Sequence, residues 1–472
     1  MKPFRNYDLT RRDFGKAVLA TTALAAGGRA LAAQATTARP NVLVFIADDA
    51  GARHFGCYGN KSIRTPRIDQ IAAEGMTCDK AMLTTSQCSP SRISILTGKY
   101  PHTTGAEDLH VPMPAGHTAV PGYLRKAGYF TGHMGKAHEG PDSDRQFDWY
   151  DQGLDRFETF MSLTRDKPFF LWVAFHDPHR PFDADAIAAR HDPASVDIPP
   201  YMADTAETRD DLARYYDEIG RMDGVVGKFL DALDARGLRE DTLVIFLSDN
   251  GAPFPREKGT VYDAGVRTPL LFRWPGVVPE GARNDGLMSV IDLAPTILEV
   301  AGLAVPGDMQ GESIAAGLAD PRRLRRDTAF SERNWHDCDE HIRSVRTERY
   351  RLVHNAYIAL PFGSPADVSM SPSWRALYGL AQAGRLTETQ RLLFQAPRPE
   401  IEFYDCVADP FETENLAPRP EFQEPIAAHF SLLQAWRKTT RDFPPERRRR
   451  QDYADRITGV LYSLEVPPMI EE

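Results

Sequence analysis

The sequence feature that most constrains the fold is a series of short apolar runs, each followed directly by polar residues. Residues 41–47 read Asn-Val-Leu-Val-Phe-Ile-Ala and lead into Asp48 and Asp49, and residues 242–247 read Thr-Leu-Val-Ile-Phe-Leu and lead into Ser248 and Asp249. Continuous β-branched and aromatic runs of this length are typical of strands that are buried on both faces of a parallel sheet. Runs of the same kind predict three further strands, at residues 129–134, 169–175 and 270–274.

Segments with helical spacing of their apolar residues accompany these strands, at residues 66–74, 119–127, 210–236 and 292–301. Strands that alternate with helices predict an α/β fold with a mostly parallel, doubly wound sheet flanked by helices. In such sheets, ligands bind beyond the carboxyl ends of the strands. Six polar side chains fall at these ends, namely Asp48, Asp49, Lys136, His179, Asp249 and Asn250.

The C-terminal third has a different pattern. Residues 342–346 and 350–354 predict a hairpin, residues 402–405 a later strand and residues 424–436 a helix, whereas residues 358–400 give no clear pattern. A chain of 472 residues exceeds the size at which a single core usually stops growing. We therefore expect a larger domain at residues 36–315 and a smaller C-terminal α+β subdomain at residues 316–472, built on a short antiparallel sheet.

The adjacent carboxylates Asp48 and Asp49 indicate a bound cation, because two carboxylates at one strand end repel each other unless a cation lies between them. Asp249 and Asn250 supply two more oxygens at the end of another strand. Either pair alone would also fit a turn or a helix cap. Four oxygen ligands suit Ca²⁺ or Mg²⁺, whereas zinc prefers His and Cys. We expect a divalent-metal site with these four residues as ligands.

Cys88 begins the other distinctive stretch, Cys-Ser-Pro-Ser-Arg-Ile-Ser-Ile-Leu-Thr-Gly at residues 88–98. Pro90 suits the first turn of a helix, where its missing N–H would have no partner in any case. Cys88 is therefore expected just before a helix N-terminus, where free N–H groups and the helix dipole favour an anion and a lowered thiol pKa. A lone Cys-x-Pro would fit a half-buried cysteine beside a turn.

The same stretch resembles the signature of the sulfatase family, Cys-x-Pro-Ser-Arg followed closely by Leu-Thr-Gly. In that family a maturation enzyme oxidises the cysteine to Cα-formylglycine (3-oxoalanine), and the hydrated aldehyde attacks sulfur. The resemblance thus implies a covalent nucleophile made from Cys88, anchored by Arg92, in a catalytic domain at residues 36–315. It also implies that the metal held by the four strand-end ligands is Ca²⁺ rather than Mg²⁺.

Other elements of the family's active site have counterparts in this sequence. Gly135-Lys136-Ala137-His138 resembles its Gly-Lys-x-His element, His179 matches its strand-end histidine, and Lys258 matches the lysine that reaches sulfate. The resemblance implies that Lys136 and Lys258 neutralise sulfate oxygens, while Lys258 or His179 protonates the leaving atom. His138 would hold the second hydroxyl of the hydrated aldehyde and act as base when sulfate departs.

The resemblance covers nearly the whole mature chain and implies a hydrolase of sulfate esters or sulfamates, acting on sulfated saccharides or other organic sulfates. Residues 173–180, 219–223, 248–255 and 351–355 resemble the N-sulfoglucosamine sulfohydrolases, the heparan N-sulfatases (sulfamidases) of this family. Residues 56–60 and 258–269 follow the general O-sulfatase pattern instead, so an O-sulfatase for a glycan or an aryl sulfate stays open. Three further functions also stay open, namely a phosphonate or phosphodiester hydrolase of the alkaline-phosphatase-like superfamily, an inactive sulfated-glycan binder in which Cys88 is never oxidised, and a metal-free cysteine hydrolase.

The N-terminus predicts the location of the protein. Residues 10–16 read Thr-Arg-Arg-Asp-Phe-Gly-Lys and precede a short apolar run with a small-residue cleavage site at residues 30–32. This resembles a bacterial twin-arginine signal peptide, so we expect residues 1–35 to direct export to the periplasm, without stable insertion into the membrane. Because that route carries folded proteins, the formylglycine-generating enzyme would have to oxidise Cys88 in the cytoplasm.

Composition adds two limits. A formal net charge of -10 argues against a nucleic-acid binder. Five cysteines in 472 residues do not make a disulfide framework. The sequence leaves open the oligomeric state and the pairing of the four remaining cysteines, Cys57, Cys78, Cys338 and Cys406.

Overall fold

The computed structural model describes residues 39–463 and residue 465. The expected twin-arginine signal at residues 1–35 therefore lies outside the described residues. None of the helices in the described part of the chain is both long enough and apolar enough to cross a bilayer.

A sheet of nine strands forms the centre of the larger part of the structure. In chain order these strands are β1 (Asn41–Ala47), β2 (Met76–Met82), β3 (Phe130–Gly135), β4 (Trp149–Asp151), β5 (Phe169–Ala174), β6 (Thr242–Ser248), β7 (Arg267–Thr268), β8 (Leu270–Arg273) and β9 (Ala282–Ser289). They lie in the order β4-β3-β5-β1-β6-β8-β2-β7, with β9 paired to β2. The run from β4 to β6 is parallel, whereas β8 is antiparallel to both of its neighbours. The expected mostly parallel sheet is confirmed.

Helices cover both faces of this sheet. In chain order they are α1 (Pro66–Ala73), α2 (Cys88–Thr97), α3 (Pro101–Thr104), α4 (Val120–Lys126), α5 (Pro141–Asp144), α6 (Phe157–Thr164), α7 (Ala206–Ala235), α8 (Asp263–Val266) and α9 (Leu293–Val300). Every residue of β1 is buried. Val44 belongs to the apolar cluster that includes α9, and its neighbour Phe45 belongs to the cluster that includes α7. Both faces of the strand are therefore core, as its continuous apolar sequence predicts.

The C-terminal part contains a separate antiparallel sheet. Its strands, β10 (Ala329–Arg333), β11 (Ile342–Arg346), β12 (Tyr350–Asn355) and β13 (Ile401–Asp405), lie in chain order. Helix α13 (Gln423–Thr440) contributes Leu433 and Trp436 to a core with Phe330 and Val345 of the sheet. The expected small antiparallel sheet with a helix packed on it is confirmed. All four strands follow residue 316, but the domain boundary itself stays a prediction.

Residues 358–400, which have no clear sequence pattern, contain three helices, α10 (Ala366–Ser369), α11 (Pro372–Gln382) and α12 (Glu388–Arg391). The side chain of Ser371 accepts a hydrogen bond from the backbone N–H of Trp374, and Pro372 occupies the first turn of α11. A serine cap followed by proline is a helix start signal that can be read from sequence. The strands β2, β9 and β10 could not be predicted from sequence, because polar residues interrupt their apolar runs.

The register of the central strands aligns their carboxyl ends. Ala47 of β1 pairs with Ser248 of β6, and Ile46 of β1 pairs with Ala174 of β5. Gly135 of β3 pairs with the same Ala174. The residues that follow β1, β3, β5 and β6 therefore emerge side by side at one edge of the sheet, where ligands of such folds bind.

Candidate active site

The residues that follow β1 and β6 form the floor of the candidate site. Asp48, Asp49, Asp249 and Asn250 are all 0% exposed. The backbone N–H of Asp49 donates to Asp249 Oδ1 at 3.1 Å, and Asn250 Nδ2 donates to Asp49 Oδ1. Asp49 has a φ of 71°, a left-handed conformation that is uncommon outside glycine and that concentrates at functional sites. The structure thus brings together the four predicted metal ligands.

Arg92 of α2 is the buried cation of this floor. Its Nε donates to Asp249 Oδ2 at 2.7 Å, and one terminal nitrogen lies 3.7 Å from Asp48 Oδ1. Burial alone would raise the pKa of Asp48, but the charges of Lys136 and Arg92 outweigh it and hold that pKa well below its ordinary value. Burial raises the pKa of Asp249 to about 7 even though Arg92 opposes the shift. Burial therefore acts against ionisation of Asp249, and a bound cation would favour it.

The donor atoms of the floor fit a hard divalent cation. Oxygen atoms of Asp48 and Asp249 and the Sγ of Cys88 all lie within 4.8 Å of one another. Asn250 Oδ1 is buried and has no hydrogen-bond partner among the described residues, so it is free to act as a ligand. An oxygen donor set with several carboxylates suits Ca²⁺ or Mg²⁺ and would gain from the added positive charge.

Cys88 lies directly over this floor. It is the first residue of α2, with Gln87 as the N-cap, rather than the residue before the helix. Its Sγ lies 3.6 Å from Asp48 Oδ1 and 3.9 Å from Asp49 Oδ1. The residue is 2% exposed. The structure therefore places residue 88 against the acidic pair, as a nucleophile that works beside the metal requires.

The expectation of a lowered thiol pKa at Cys88 is wrong. Burial raises the pKa of this thiol well above its ordinary value, and it outweighs the opposing charges of Lys136 and Lys258. The charges of Asp48 and Asp249 add to this rise. A buried, protonated thiol is a poor nucleophile. This result argues against an ordinary cysteine hydrolase and fits a residue that is modified before it acts.

Lys136 follows β3 into the site. Gly135 has a φ of 85°, and a Cβ at this position would lie 2.0 Å from the carbonyl oxygen of Ala174. Only glycine allows this close turn out of the strand. Lys136 Nζ donates to the carboxylate of Asp48, so its ammonium group is already directed at the floor.

His138 lies two residues farther on, beside His110. His138 Nε2 and His110 Nδ1 are 2.8 Å apart. Burial, together with the charges of Lys136 and Arg92, lowers the pKa of His138 to about 2. The imidazole is therefore neutral at physiological pH. His110 has no sequence signal of its own, since only the folded chain brings it to His138.

Lys258 and His179 both lie close to the carboxylate of Asp367, a residue that the sequence analysis does not predict in the site. Lys258 Nζ donates to Asp49 Oδ2 and to Asp367 Oδ2, each at 2.7 Å. His179 Nε2 lies 3.8 Å from Asp49 Oδ2 and 3.9 Å from Asp367 Oδ2. Asp367 belongs to α10, in the segment without a clear pattern, and no local motif marks it. It connects the C-terminal part of the chain to the candidate site.

Loop contacts hold Lys258 and His179 in place. Gly259 donates its backbone N–H to Ser86, at 3.1 Å from the carbonyl oxygen and 3.0 Å from Oγ, which ties the Lys258 loop to the residues before Cys88. The loop after β5 is bound to α7 by two bidentate ion pairs. These are Arg180 to Asp211 at 2.8 and 2.7 Å, and Arg221 to Asp177 at 2.9 and 2.7 Å.

The site opens on the side of His179. The side chains of His179 and Asp367 are 33% and 20% exposed, whereas those of Lys258 and Asp49 are 1% and 0% exposed. A bound anion would therefore reach the floor with the rest of its molecule on the His179 side. Contacts bring nine of the ten predicted site residues together, while His138 lies within the influence of the Lys136 and Arg92 charges. The structure adds Asp367 and His110.

Comparison with known proteins gives consistent matches. A family model described as sulfatase matches residues 40–160 and 147–303, and one described as N-sulphoglucosamine sulphohydrolase, C-terminal, matches residues 256–361. Human N-sulphoglucosamine sulphohydrolase is 33% identical over 462 residues, which cover 86% of this chain and 91% of that protein. An ulvan-active sulfatase of Formosa agariphila is 29% identical over 449 residues, which cover 84% of this chain and 74% of that protein.

Solved structures show the same fold. The structure of a protein in complex with its substrate D-glucosamine-2-N,6-O-disulfate has a TM-score of 0.68 and 20% identity, and the match covers 86% of this chain and 99% of that chain. At this level of identity the likeness concerns the fold alone.

Proposed function

This chain belongs to the sulfatase family, and we propose that it is a sulfamidase that removes sulfate from the nitrogen of N-sulfoglucosamine units in sulfated glycans. The observation that carries this proposal is the position of Cys88, whose Sγ lies 3.6 Å from Asp48 and 3.9 Å from Asp49. Lys136 binds the first of these carboxylates and Lys258 the second. The preference for an N-linked sulfate is supported by the 33% identity to human N-sulphoglucosamine sulphohydrolase and by the match of its C-terminal family model.

The net reaction is hydrolysis of a sulfamate. The S–N bond breaks, the oxygen of water ends on sulfur as part of sulfate, and the nitrogen takes a proton to leave as the amine. Formylglycine made from Cys88 by a maturation enzyme would supply, as its hydrate, the oxygen that attacks sulfur. Asp48, Asp49, Asp249 and Asn250 would hold Ca²⁺, which supplies positive charge for the sulfate oxygens.

Lys136 and Lys258 neutralise the sulfate group. Each ammonium is held in place before substrate arrives, by Asp48 for Lys136 and by Asp49 and Asp367 for Lys258. Charges that are already oriented need no rearrangement when negative charge develops on the transferring group. Asp367 thus acts as a positioning residue for Lys258.

Two histidines have separate proton-transfer roles. His138 is neutral in the substrate-free site and would take the proton from the hydroxyl at position 88 when sulfate departs, since the negative charge that develops there stabilises the imidazolium. His179 is the better donor to the leaving nitrogen, because its side chain is 33% exposed and lies on the open side, whereas that of Lys258 is 1% exposed.

We also propose that the enzyme is exported. The twin-arginine pattern at residues 10–16 supports transport of the folded enzyme to the periplasm. Cys88 would then be oxidised before the chain folds, since the folded site leaves only 2% of this residue exposed. The five cysteines are all unpaired thiols in the structure, which is compatible with folding in the reducing cytoplasm.

Defined heparin disaccharides test the substrate. We expect kcat/KM for release of N-linked sulfate to exceed that for 2-O- and 6-O-linked sulfate by at least about tenfold. The enzyme is produced with a formylglycine-generating enzyme, and sulfate release is measured for each disaccharide. The Cys88→Ala variant, purified in parallel, corrects for contaminating sulfatases. A preference for an O-sulfate would contradict the sulfamidase assignment. An aryl phosphodiester is assayed alongside, and a higher kcat/KM for it would contradict sulfate as the substrate.

A further inference from the structure

Three ligand atoms converge beside the strand end that carries Lys136 and His138. His133 lies on β3, Glu139 follows His138, and Asp144 ends the short helix α5. One ligand atom from each of these residues lies within 4.8 Å of the other two. His133 and Glu139 are each 1% exposed. This His133 cluster shares no residue with the floor formed by Asp48, Asp49, Asp249 and Asn250.

Each residue of the His133 cluster has a buried polar atom without a hydrogen-bond partner in residues 39–463. These atoms are His133 Nδ1, Glu139 Oε1 and Asp144 Oδ1. The other nitrogen of His133, Nε2, lies 3.1 Å from the carbonyl oxygen of Lys136. A carbonyl can only accept, so Nε2 carries the proton and Nδ1 of the neutral ring presents a lone pair. The cluster therefore consists of three acceptors.

Hydrogen bonds within the protein do not satisfy these acceptors. A trapped water molecule has two protons and could serve only two of the three. A proton on His133 Nδ1 is disfavoured, because burial lowers the pKa of this imidazole. Burial and the charge of Glu139 raise the pKa of Asp144, a cost of like charges that a bound cation would relieve. Arg92 carries a charge in this region, and its two terminal nitrogens have no hydrogen-bond partner among the described residues. Its ion pairs are nevertheless with Asp48 and Asp249, and none joins it to this cluster.

We propose that His133, Glu139 and Asp144 bind a second metal, a divalent transition-metal ion of the Zn²⁺ type. One imidazole nitrogen and two carboxylate oxygens form a donor set that zinc accepts, and the imidazole distinguishes this site from the all-oxygen calcium site. The hydrogen bond from His133 Nε2 to a backbone carbonyl is the support that a metal-bound imidazole normally has. A divalent ion also balances the two carboxylates.

The second metal would hold the loop that delivers two active-site groups. Lys136 supplies the carbonyl that binds His133, and His138 donates its backbone N–H to Glu139 Oε2 at 2.9 Å. A metal bound to His133 and Glu139 would thus hold both ends of the Lys136–His138 segment. The metal is structural, since its ligands do not contact the floor around Cys88.

Zinc binding in the presence of excess Ca²⁺ tests this proposal. The purified enzyme is stripped with a chelator, Ca²⁺ is restored, and Zn²⁺ affinity and stoichiometry are measured by competition with a chromophoric zinc chelator. We expect one Zn²⁺ per chain, and an affinity at least about tenfold lower in Asp144→Asn and in His133→Gln. Asp142→Asn is the matched control, because this residue of the same short helix pairs with Arg145 at 2.6 Å and not with the cluster. It should bind zinc like the unmodified protein.

Asp249→Ala separates the two sites and should retain zinc binding. The proposal is overturned if the unmodified enzyme takes up no zinc, if Asp144→Asn binds it as tightly, or if Asp249→Ala abolishes it. Anomalous scattering at the zinc absorption edge, from crystals of the unmodified enzyme, gives a test that does not depend on the folding of any variant. A peak between His133 and Asp144 supports the site, and a peak only at the floor contradicts it.

Discussion

Replacing Cys88 by Ala is expected to lower kcat/KM for sulfate release by at least about 10⁴-fold, the scale seen when a covalent nucleophile is removed. Alanine can be neither oxidised to formylglycine nor used directly to attack sulfur. The fold should persist, because Cys88 contributes little volume to its small cluster with Leu109 and Trp335. The measurement is sulfate release from N-sulfoglucosamine, with thermal unfolding to confirm that the variant is folded.

Cys78→Ala is the matched control for this prediction. Cys78 is also a buried thiol, but it lies on β2 in the apolar core. This variant should keep near-normal turnover per folded molecule. Equal losses in the two variants would mean that Cys88 matters for packing, and full activity in Cys88→Ala would remove it from the reaction.

Asp249→Ala is expected to lower calcium affinity and turnover together, each by at least about a hundredfold. The change removes one ligand oxygen and also the partner of Arg92 at 2.7 Å. Because Arg92 is fully buried, leaving its charge without Asp249 should lower the free energy of unfolding by about 3 kcal/mol. Calcium content, sulfate release and denaturant unfolding measure the three effects.

Asp292→Ala controls for the loss of stability. Asp292 is a buried carboxylate that binds Arg326 at 2.6 and 2.8 Å, away from the candidate site. We expect a similar loss of stability in this variant, with calcium binding retained. If Asp249→Ala kept calcium and turnover while Asp292→Ala lost stability as expected, Asp249 would not be a metal ligand.

The central sheet and the grouping of the four candidate metal ligands at its edge could be predicted from sequence for one physical reason. A strand buried on both faces has no polar residue until it reaches its end, so the first polar residues mark the edge of the sheet. Asp48 and Asp249 follow the paired residues Ala47 and Ser248, and parallel pairing alone brings them together. Strand β3, which is separated from β1 by β5, delivers Lys136 at the same edge of the sheet.

Other features depend on contacts between distant parts of the chain. Asp367 reaches Lys258 from a helix of four residues that has no strong pattern. Strand β8 is antiparallel to both β6 and β2, and nothing in its own sequence indicates this direction. The thiol pKa of Cys88 depends on burial under the completed site. Burial raises this pKa, so an expectation based on the helix dipole alone has the wrong direction.

The most direct test of the account is mass spectrometry of the peptide that contains residue 88, combined with turnover of the same preparations. Enzyme produced with increasing amounts of the maturation enzyme should carry an aldehyde in place of the CH₂–SH group, and turnover should rise in proportion to the converted fraction. Full turnover from protein in which residue 88 is entirely an unmodified cysteine would contradict the account.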